Sequence, residues 1–244
     1  MDAVIEMKNV YFKAQTQEVV HDFSFQFEKG KTTALVGPSG SGKSTVLKLA
    51  AGLLVPTDGD VFFQGCNISN MTRNQNLSFR KQAAMVFQDS ALWANQSLYQ
   101  ILELPLKLHF PKMNKHERDE RIYAILAQVG YKRRLDVRPA QLSMGEQKLI
   151  AFARAMLCGP NILFLDEWTE SLDDSSSECL MNLVRERRQN NDTIVFVSHN
   201  FKVIKQLADY IVMIVNGQLN RLFTRDQIAC DESMAQHIEE GIAL

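Results

Sequence analysis

The 244-residue sequence predicts an α/β fold: a mixed or parallel sheet core, an antiparallel β subdomain toward the N-terminus, and an inserted helical subdomain. Three observations carry this. The runs Thr32–Val36, Ile162–Leu165 and Thr193–Ser198 are nearly continuous in apolar or β-branched residues, as strands covered on both faces are. Val4–Phe12 and Val19–Phe27 behave differently, with Phe23, Phe25 and Phe27 alternating with Ser24 and Gln26 at the period of a half-buried sheet. From Asp89 to about Leu142 the period changes again, and Ile122, Ile125, Leu126 and Val129 fall at helical spacing behind the charged run Lys115–Arg121.

This length suffices for one α/β core with an insertion and does not demand two independent domains. Residues 1–88 and 160–223 read as the core with its β subdomain, 89–159 as the helical subdomain, and 224–244 as a tail carrying a short helix. Lys+Arg 27 against Asp+Glu 28 leaves a net charge of −1, so no basic face for nucleic acid is expected. Cys66, Cys158, Cys179 and Cys230 are scattered without a C-x-x-C pair and read as reduced thiols of a cytosolic protein. No apolar run approaches the ~20 residues that span a bilayer, so a membrane connection is expected through a partner.

In chain order, Glu28-Lys29-Gly30-Lys31 turns into the strand Thr32–Val36. Next comes Gly37-Pro38-Ser39-Gly40-Ser41-Gly42-Lys43-Ser44-Thr45, which fits G-x-x-x-x-G-K-[ST], a loop whose backbone N–H groups surround nucleotide phosphates. Gly40 and Gly42, lacking a Cβ, can take positive φ and let the chain approach a phosphate. Lys43 supplies a mobile positive charge and Ser44 a hydroxyl for Mg²⁺. The helix expected over Val46–Ala51 turns its positive end toward the anion. Pro56-Thr57-Asp58-Gly59 leads into a strand at Asp60–Phe63, and Ala83–Phe87 forms another that stops at Gln88.

Past the helical insertion, Ser143 is placed as an N-cap with Glu146 three residues on, a capping box for the helix Lys148–Leu157. The same Ser/Gly-bearing helix start can receive an anion. Ile162–Leu165 runs directly into Asp166 and Glu167, putting two carboxylates at the carboxyl edge of the sheet, where open α/β folds bind ligands. Asp166 is suited to hold Mg²⁺ and Glu167 to orient or deprotonate a water. His199 follows the last apolar strand at that same edge, and Ile211–Val215, Asn216-Gly217 and Leu219–Phe223 read as a hairpin.

Together these segments resemble the ATPase subunit of ATP-binding cassette (ABC) transporters over residues 4–223. The resemblance implies ATP and Mg²⁺ as cofactors, with the phosphate loop at 37–45 and Ser44, Gln88 and Asp166 toward the metal. It also implies catalytic roles for Glu167, His199 and Gln88, and a signature at 142–147. It further implies a head-to-tail dimer in which Ser143, Met144, Gly145 and Glu146 of one copy cap the ATP held by the other copy's phosphate loop, and it adds Asp173 of the segment Glu170–Asp173 to the nucleotide-binding residues. Trp168 stands where proline is usual, Met144 where the second signature residue is glycine, and Asn200 where aspartate is common. Ala14 occupies the position that usually offers a ring to adenine, leaving Tyr11 or Phe12 as substitutes.

Arg138–Ser143 is similar to stand-alone bacterial ATPases that serve separate integral membrane permeases from the cytoplasmic face of the inner membrane. Phe87–Leu92 and Glu240–Ala243 resemble the ATPase of Mce/Mla-type lipid transporters. The stretch Ala91–Tyr99 is expected to receive the permease through Leu92, Trp93, Leu98 or Tyr99, the alternative being that these side chains fill the core of the helical insertion. The alternative is a non-transport cassette regulating a membrane complex, as in cell division; a P-loop kinase or GTPase is disfavoured because no acceptor lid or Asn-Lys-x-Asp is present.

Overall fold

The structure, a computed structural model, describes residues 2–230. The tail beyond 230, including Glu240–Ala243, lies outside the described residues. The two alternating segments are β1 (Ala3–Ala14) and β2 (Gln17–Glu28), followed by β3 (Thr32–Val36), α1 (Lys43–Ala50), β4 (Asp58–Phe63) and β5 (Cys66–Asn67). Strands β1, β2, β4 and β5 form an antiparallel sheet in the order β2-β1-β4-β5. It is the predicted β subdomain, with Phe23 and Phe27 buried and Ser24 and Gln26 exposed.

Helix α2 (Arg73–Gln82) and β6 (Ala83–Val86) lead to the helical subdomain, formed by α3 (Leu98–His109), α4 (Lys115–Gln128) and α5 (Met144–Met156). The chain returns through β7 (Ile162–Asp166), α6 (Asp174–Gln189), β8 (Thr193–Val197), α7 (Phe201–Leu207), β9 (Tyr210–Val215), β10 (Gln218–Thr224) and α8 (Arg225–Cys230). The second sheet has the order β10-β9-β3-β8-β7-β6 and is parallel except for β10, which pairs antiparallel with β9.

Parity along the apolar strands explains why they carry no polar alternation. Ile162 and Phe164 of β7 and Val195 and Val197 of β8 enter one core, shared with α1 and the antiparallel sheet. Leu163 and Leu165, with Ile194 and Phe196, enter the other, shared with the helical subdomain and α6. Each fully buried Leu, Ile or Phe is worth ~1.5–3 kcal/mol, so a one-residue slip that keeps both faces apolar is resisted by packing shape and by the polar strand ends.

Those ends matter for the site. The hairpin turn Asn216-Gly217 has positive φ at both residues, 50° and 77°, the geometry of a two-residue turn matched to strand twist. Its Gly217 N–H donates to the Ser41 carbonyl at 3.0 Å, and a Cβ on Gly217 would meet the Val19 carbonyl oxygen at 2.3 Å. The predicted hairpin therefore braces the phosphate loop.

Candidate active site

The loop after β3 bends on three glycines with positive φ: Gly37 at 142°, Gly40 at 76° and Gly42 at 97°. Gly42 caps α1 without a side-chain hydrogen bond, and no acidic residue occupies the first turn. The N–H donors of that turn remain free of side-chain partners, the arrangement that binds phosphate. Lys43 is buried and donates through Nζ to the Gly37 and Pro38 carbonyls, each at 2.8 Å. Burial pulls its ammonium pKa down, against the opposing pull of Glu167 and Asp166. Incoming phosphate oxygens would offer that ammonium stronger acceptors than two neutral carbonyls.

The acids follow from β7. Asp166 ends the strand and accepts from the Ser44 hydroxyl at 2.9 Å, while Glu167 turns to φ 44° and donates its N–H to the Val197 carbonyl. A non-glycine residue in that region costs ~1–3 kcal/mol, a strain concentrated at functional sites. Burial drives the Asp166 carboxyl above its ordinary range. It pushes Glu167 up to about 7, with the negative charge of Glu170 adding to the effect. His199 stands beyond β8 with Nε2 at 3.3 Å from Glu167 Oε1, and burial, then the Lys43 charge, lowers its pKa.

A cleft of about 310 Å³ gathers Val19, Ser39–Thr45, Gln88, Glu167, Glu170 and His199. Asp166 reaches it through Ser44 and also lines an adjoining hollow with Lys48, Gln88 and Lys148. For Mg²⁺ the donor set fits: the half-buried Ser44 hydroxyl and the buried Asp166 carboxylate in contact, with the Gln88 amide nearby, are the few hard oxygen ligands this ion takes alongside phosphates and waters. When bound, Mg²⁺ would neutralise developing charge on the transferred phosphoryl group.

The deciding observation is a match of a sequence model for the ABC transporter family to residues 20–170, more than half the chain. The chain belongs to the ABC transporter family. A methionine import ATP-binding protein of Mannheimia succiniciproducens is 32% identical over 221 residues, covering 88% of this chain and 64% of its own length. This chain thus spans less than two thirds of that relative. An uncharacterized ABC transporter ATP-binding protein of Methanocaldococcus jannaschii is 32% identical, covering 91% of this chain and 100% of its own. A solved dimeric ATP-binding cassette in a post-hydrolysis state, bound to ADP and Pi, superposes with a TM-score of 0.83 at 27% identity, covering 91% of this chain and 98% of that one. The mixed sheet with its antiparallel subdomain is the cassette fold the resemblance implied.

The cassette's predicted residues divide into those the cleft unites and those it does not. Ser143 caps α5, accepting from the Glu146 N–H at 3.2 Å while Glu146 accepts from the Ser143 N–H at 2.9 Å. Arg133 Nη1 pairs with the other Glu146 oxygen at 2.7 Å, which holds its carboxyl below the usual range. Met144 is 72% exposed, and Ser143, Gly145 and Glu146 do not line the phosphate cleft. Asp173 likewise stands outside it, capping α6 and held at about 2 by hydrogen bonds from Ser175 and Ser176. Neither Tyr11 nor Phe12 lines the cleft; Phe12 packs partly on the core, and Val19 is the apolar side chain beside the loop.

Two neighbours of the acids, Glu170 at the start of the segment Glu170–Asp173 and Lys148, make contacts to which the sequence assigned no role. Glu170 lines the cleft and accepts from Gln88 Nε2 at 3.2 Å, and Lys148 Nζ donates to the Glu167 carbonyl at 2.6 Å. The one sequence signal for Lys148 is a charge lodged among the apolar positions of α5.

Proposed function

We propose that this chain binds and hydrolyses ATP as the motor subunit of a transporter, and that ATP-driven closure of a head-to-tail pair moves a separate membrane permease. The observation that carries the reading is the separation just described. The cleft holds the phosphate loop, Glu167 and His199, while the signature turn at Ser143–Glu146 stands outside it, with Met144 exposed at the adjoining hollow that Ser44 and Asp166 line. A second copy turned end to end would supply that turn's N–H donors to the open side of the cleft. The dimeric state named for a solved relative supports this.

In the reaction, a water oxygen attacks the γ-phosphorus and gives its proton to the Glu167 carboxylate. The bond from the γ-phosphorus to the bridging oxygen breaks, and its electron pair leaves with ADP. Lys43 and the loop N–H groups hold the phosphates, and His199 stands where it can contact the γ-phosphate.

The permease surface requires one correction. Of the four side chains offered as alternatives for docking, Leu98 is fully buried, while Tyr99 and Leu92 pack against the helical core, with Tyr99 donating its hydroxyl to Asp119 at 2.5 Å. A half-buried tyrosine whose ring packs on the core and whose hydroxyl is already bonded within the chain is engaged rather than waiting for a partner. Trp93 is 50% exposed and lines a 520 Å³ groove with Leu53, Leu104 and Leu108 between the helical subdomain and the sheet core. The three leucines are exposed as well, and a short permease helix laying its apolar face there suits the shape. Among the described residues no helix is long and apolar enough to cross a membrane.

Cargo would be chosen by the permease, since no feature of the cleft selects it. The relatives named for a cargo are methionine importers, whereas the lipid reading rests on Phe87–Leu92 and a tail segment outside the described residues. Purification of the native protein from its membrane tests the reading. Recovery of a permease with Mg²⁺-dependent ATPase activity is expected; a protein that recovers no membrane subunit and turns over no ATP would contradict it.

A further inference from the structure

The structure assigns Lys148 as a positioning residue for the general base: its ammonium tethers the signature helix α5 to the backbone of Glu167. This deepens the proposed ATP hydrolysis and rests on it. The contact joins two subdomains, because Lys148 belongs to the helix that Ser143 caps, while Glu167 follows β7 of the sheet core.

Glu167 is held from both sides. Its N–H donates to Val197 of β8 at 3.1 Å and its carbonyl accepts from Lys148 at 2.6 Å, fixing a residue whose φ of 44° side chains rarely adopt. The next residue, Trp168, is fully buried and stacks edge-on against Phe196 at 5.3 Å, so the peptide after Glu167 can move only if the core moves. The Glu167 side chain is left to meet His199.

A purely structural lysine explains this poorly. Lys148 is 4% exposed, and burying an ammonium is costly unless it is compensated. A methionine of the same length would fill the space without that cost, since replacing buried ions with apolar residues is often neutral or stabilising. The compensation comes from the site itself: burial lowers the Lys148 pKa, while the negative charges of Glu170, Glu167 and Asp166 act against it, in that order. The lysine is thus also an internal cation beneath three clustered acids. Helix α5 begins at Ser143, the residue proposed to meet the partner's nucleotide, and Lys148 lies on its second turn. A shift of α5 on engaging that nucleotide would reach the base through one hydrogen bond.

The experiment compares wild type, Lys148→Met and Lys148→Arg, each as purified with its membrane subunits, and repeats Lys148→Met in a Glu167→Gln background. MgATP affinity, kcat and thermal midpoint are measured for all. Lys148→Met is expected to lower kcat by about 10- to 100-fold, the effect of displacing a catalytic group by an ångström or so. Its MgATP affinity should stay near wild type and its midpoint should not fall. Lys148→Arg, which keeps a charged donor, should recover part of the loss. In the Glu167→Gln background the methionine change should cost nothing further, because the group it positions is gone.

A kcat unaffected by Lys148→Met would overturn the assignment. So would a loss that tracks MgATP affinity, or an equal loss with and without Glu167. If Lys148→Met does not fold, Lys148→Gln takes its place with the same expectations. Should the wild type hydrolyse no ATP, the functional reading and this inference fail together; wild-type turnover with an indifferent Lys148→Met sinks the inference alone.

Discussion

His199 Nε2 lies 3.3 Å from Glu167 Oε1, joining the ends of two neighbouring parallel strands across one step of register, with Asp166 of β7 opposite Val197 of β8. A histidine whose pKa is lowered stays neutral at neutral pH, so the contact is an approach of two polar groups and not a full ion pair. Glu167, the proposed base, and its neighbour are therefore placed by strand register rather than by a flexible loop.

The Glu167 pKa sets a pH dependence. With the carboxyl raised from 4.5 to about 7, the protonated form is favoured in the folded protein. This contribution to stability is fully present below the unfolded value and is lost as pH rises from about 4.5 through 7. In nucleotide-free protein, Glu167→Gln should flatten the fall in melting temperature across that window. Turnover has the opposite sign, since the ionised carboxylate is the proposed base, and should drop as pH falls below about 7. Melting curves and rates across pH 5–8 check both.

Lys43 makes its only described hydrogen bonds to loop carbonyls, so its removal should leave the fold intact. Lys43→Ala is expected to weaken ATP binding by about 10- to 100-fold, the loss of a charge-assisted hydrogen bond of ~1.5–3 kcal/mol. Equilibrium binding of a fluorescent ATP analogue would show it. Near-wild-type affinity and turnover would remove the phosphate loop from the account.

Much of the site was legible because its residues sit at strand ends or helix starts, where local chemistry leaves a mark. The glycines at 37–42, the Asp166-Glu167 pair and the Ser143 capping box are of this kind. Three helices were not read. Helix α2 opens with its own capping box at Thr72 and Gln75, a signal passed over. Helix α6 buries Leu180, Met181 and Val184 within sixteen otherwise largely polar residues. Helix α7 is capped by Asn200, seen from sequence only as a departure from the family. Trp168 looked anomalous too, yet it fills the core against Phe196. The contacts of Lys148 and Glu170 join residues 19 and 82 positions apart, and nothing local announces them.

The same limit left open which side chains of Ala91–Tyr99 turn outward, since an apolar run does not reveal it; Trp93 does, while Leu98 is core. Trp93→Asp, on the groove rim, should change stability by less than about 0.5 kcal/mol and abolish assembly with the permease. Tyr99→Asp should instead cost about 3 kcal/mol or more, because it forfeits core packing and sets a carboxylate beside Asp119. Denaturant melts of the two proteins, with co-purification of membrane subunits, separate the roles. Equal stability losses would move the docking surface elsewhere.

The central claim is that two copies share each nucleotide, and Glu167→Gln tests it most directly. This variant keeps the phosphate loop and replaces the base with a polar group of similar size, so bound ATP should persist. Light scattering after size exclusion, with and without MgATP and in the presence of the membrane subunits, should show ATP converting the variant to a stable dimer. Adding Ser143→Arg should abolish that dimer while each copy still binds ATP. A Glu167→Gln protein that binds ATP and stays unpaired, or a dimer indifferent to Ser143→Arg, would contradict the shared site.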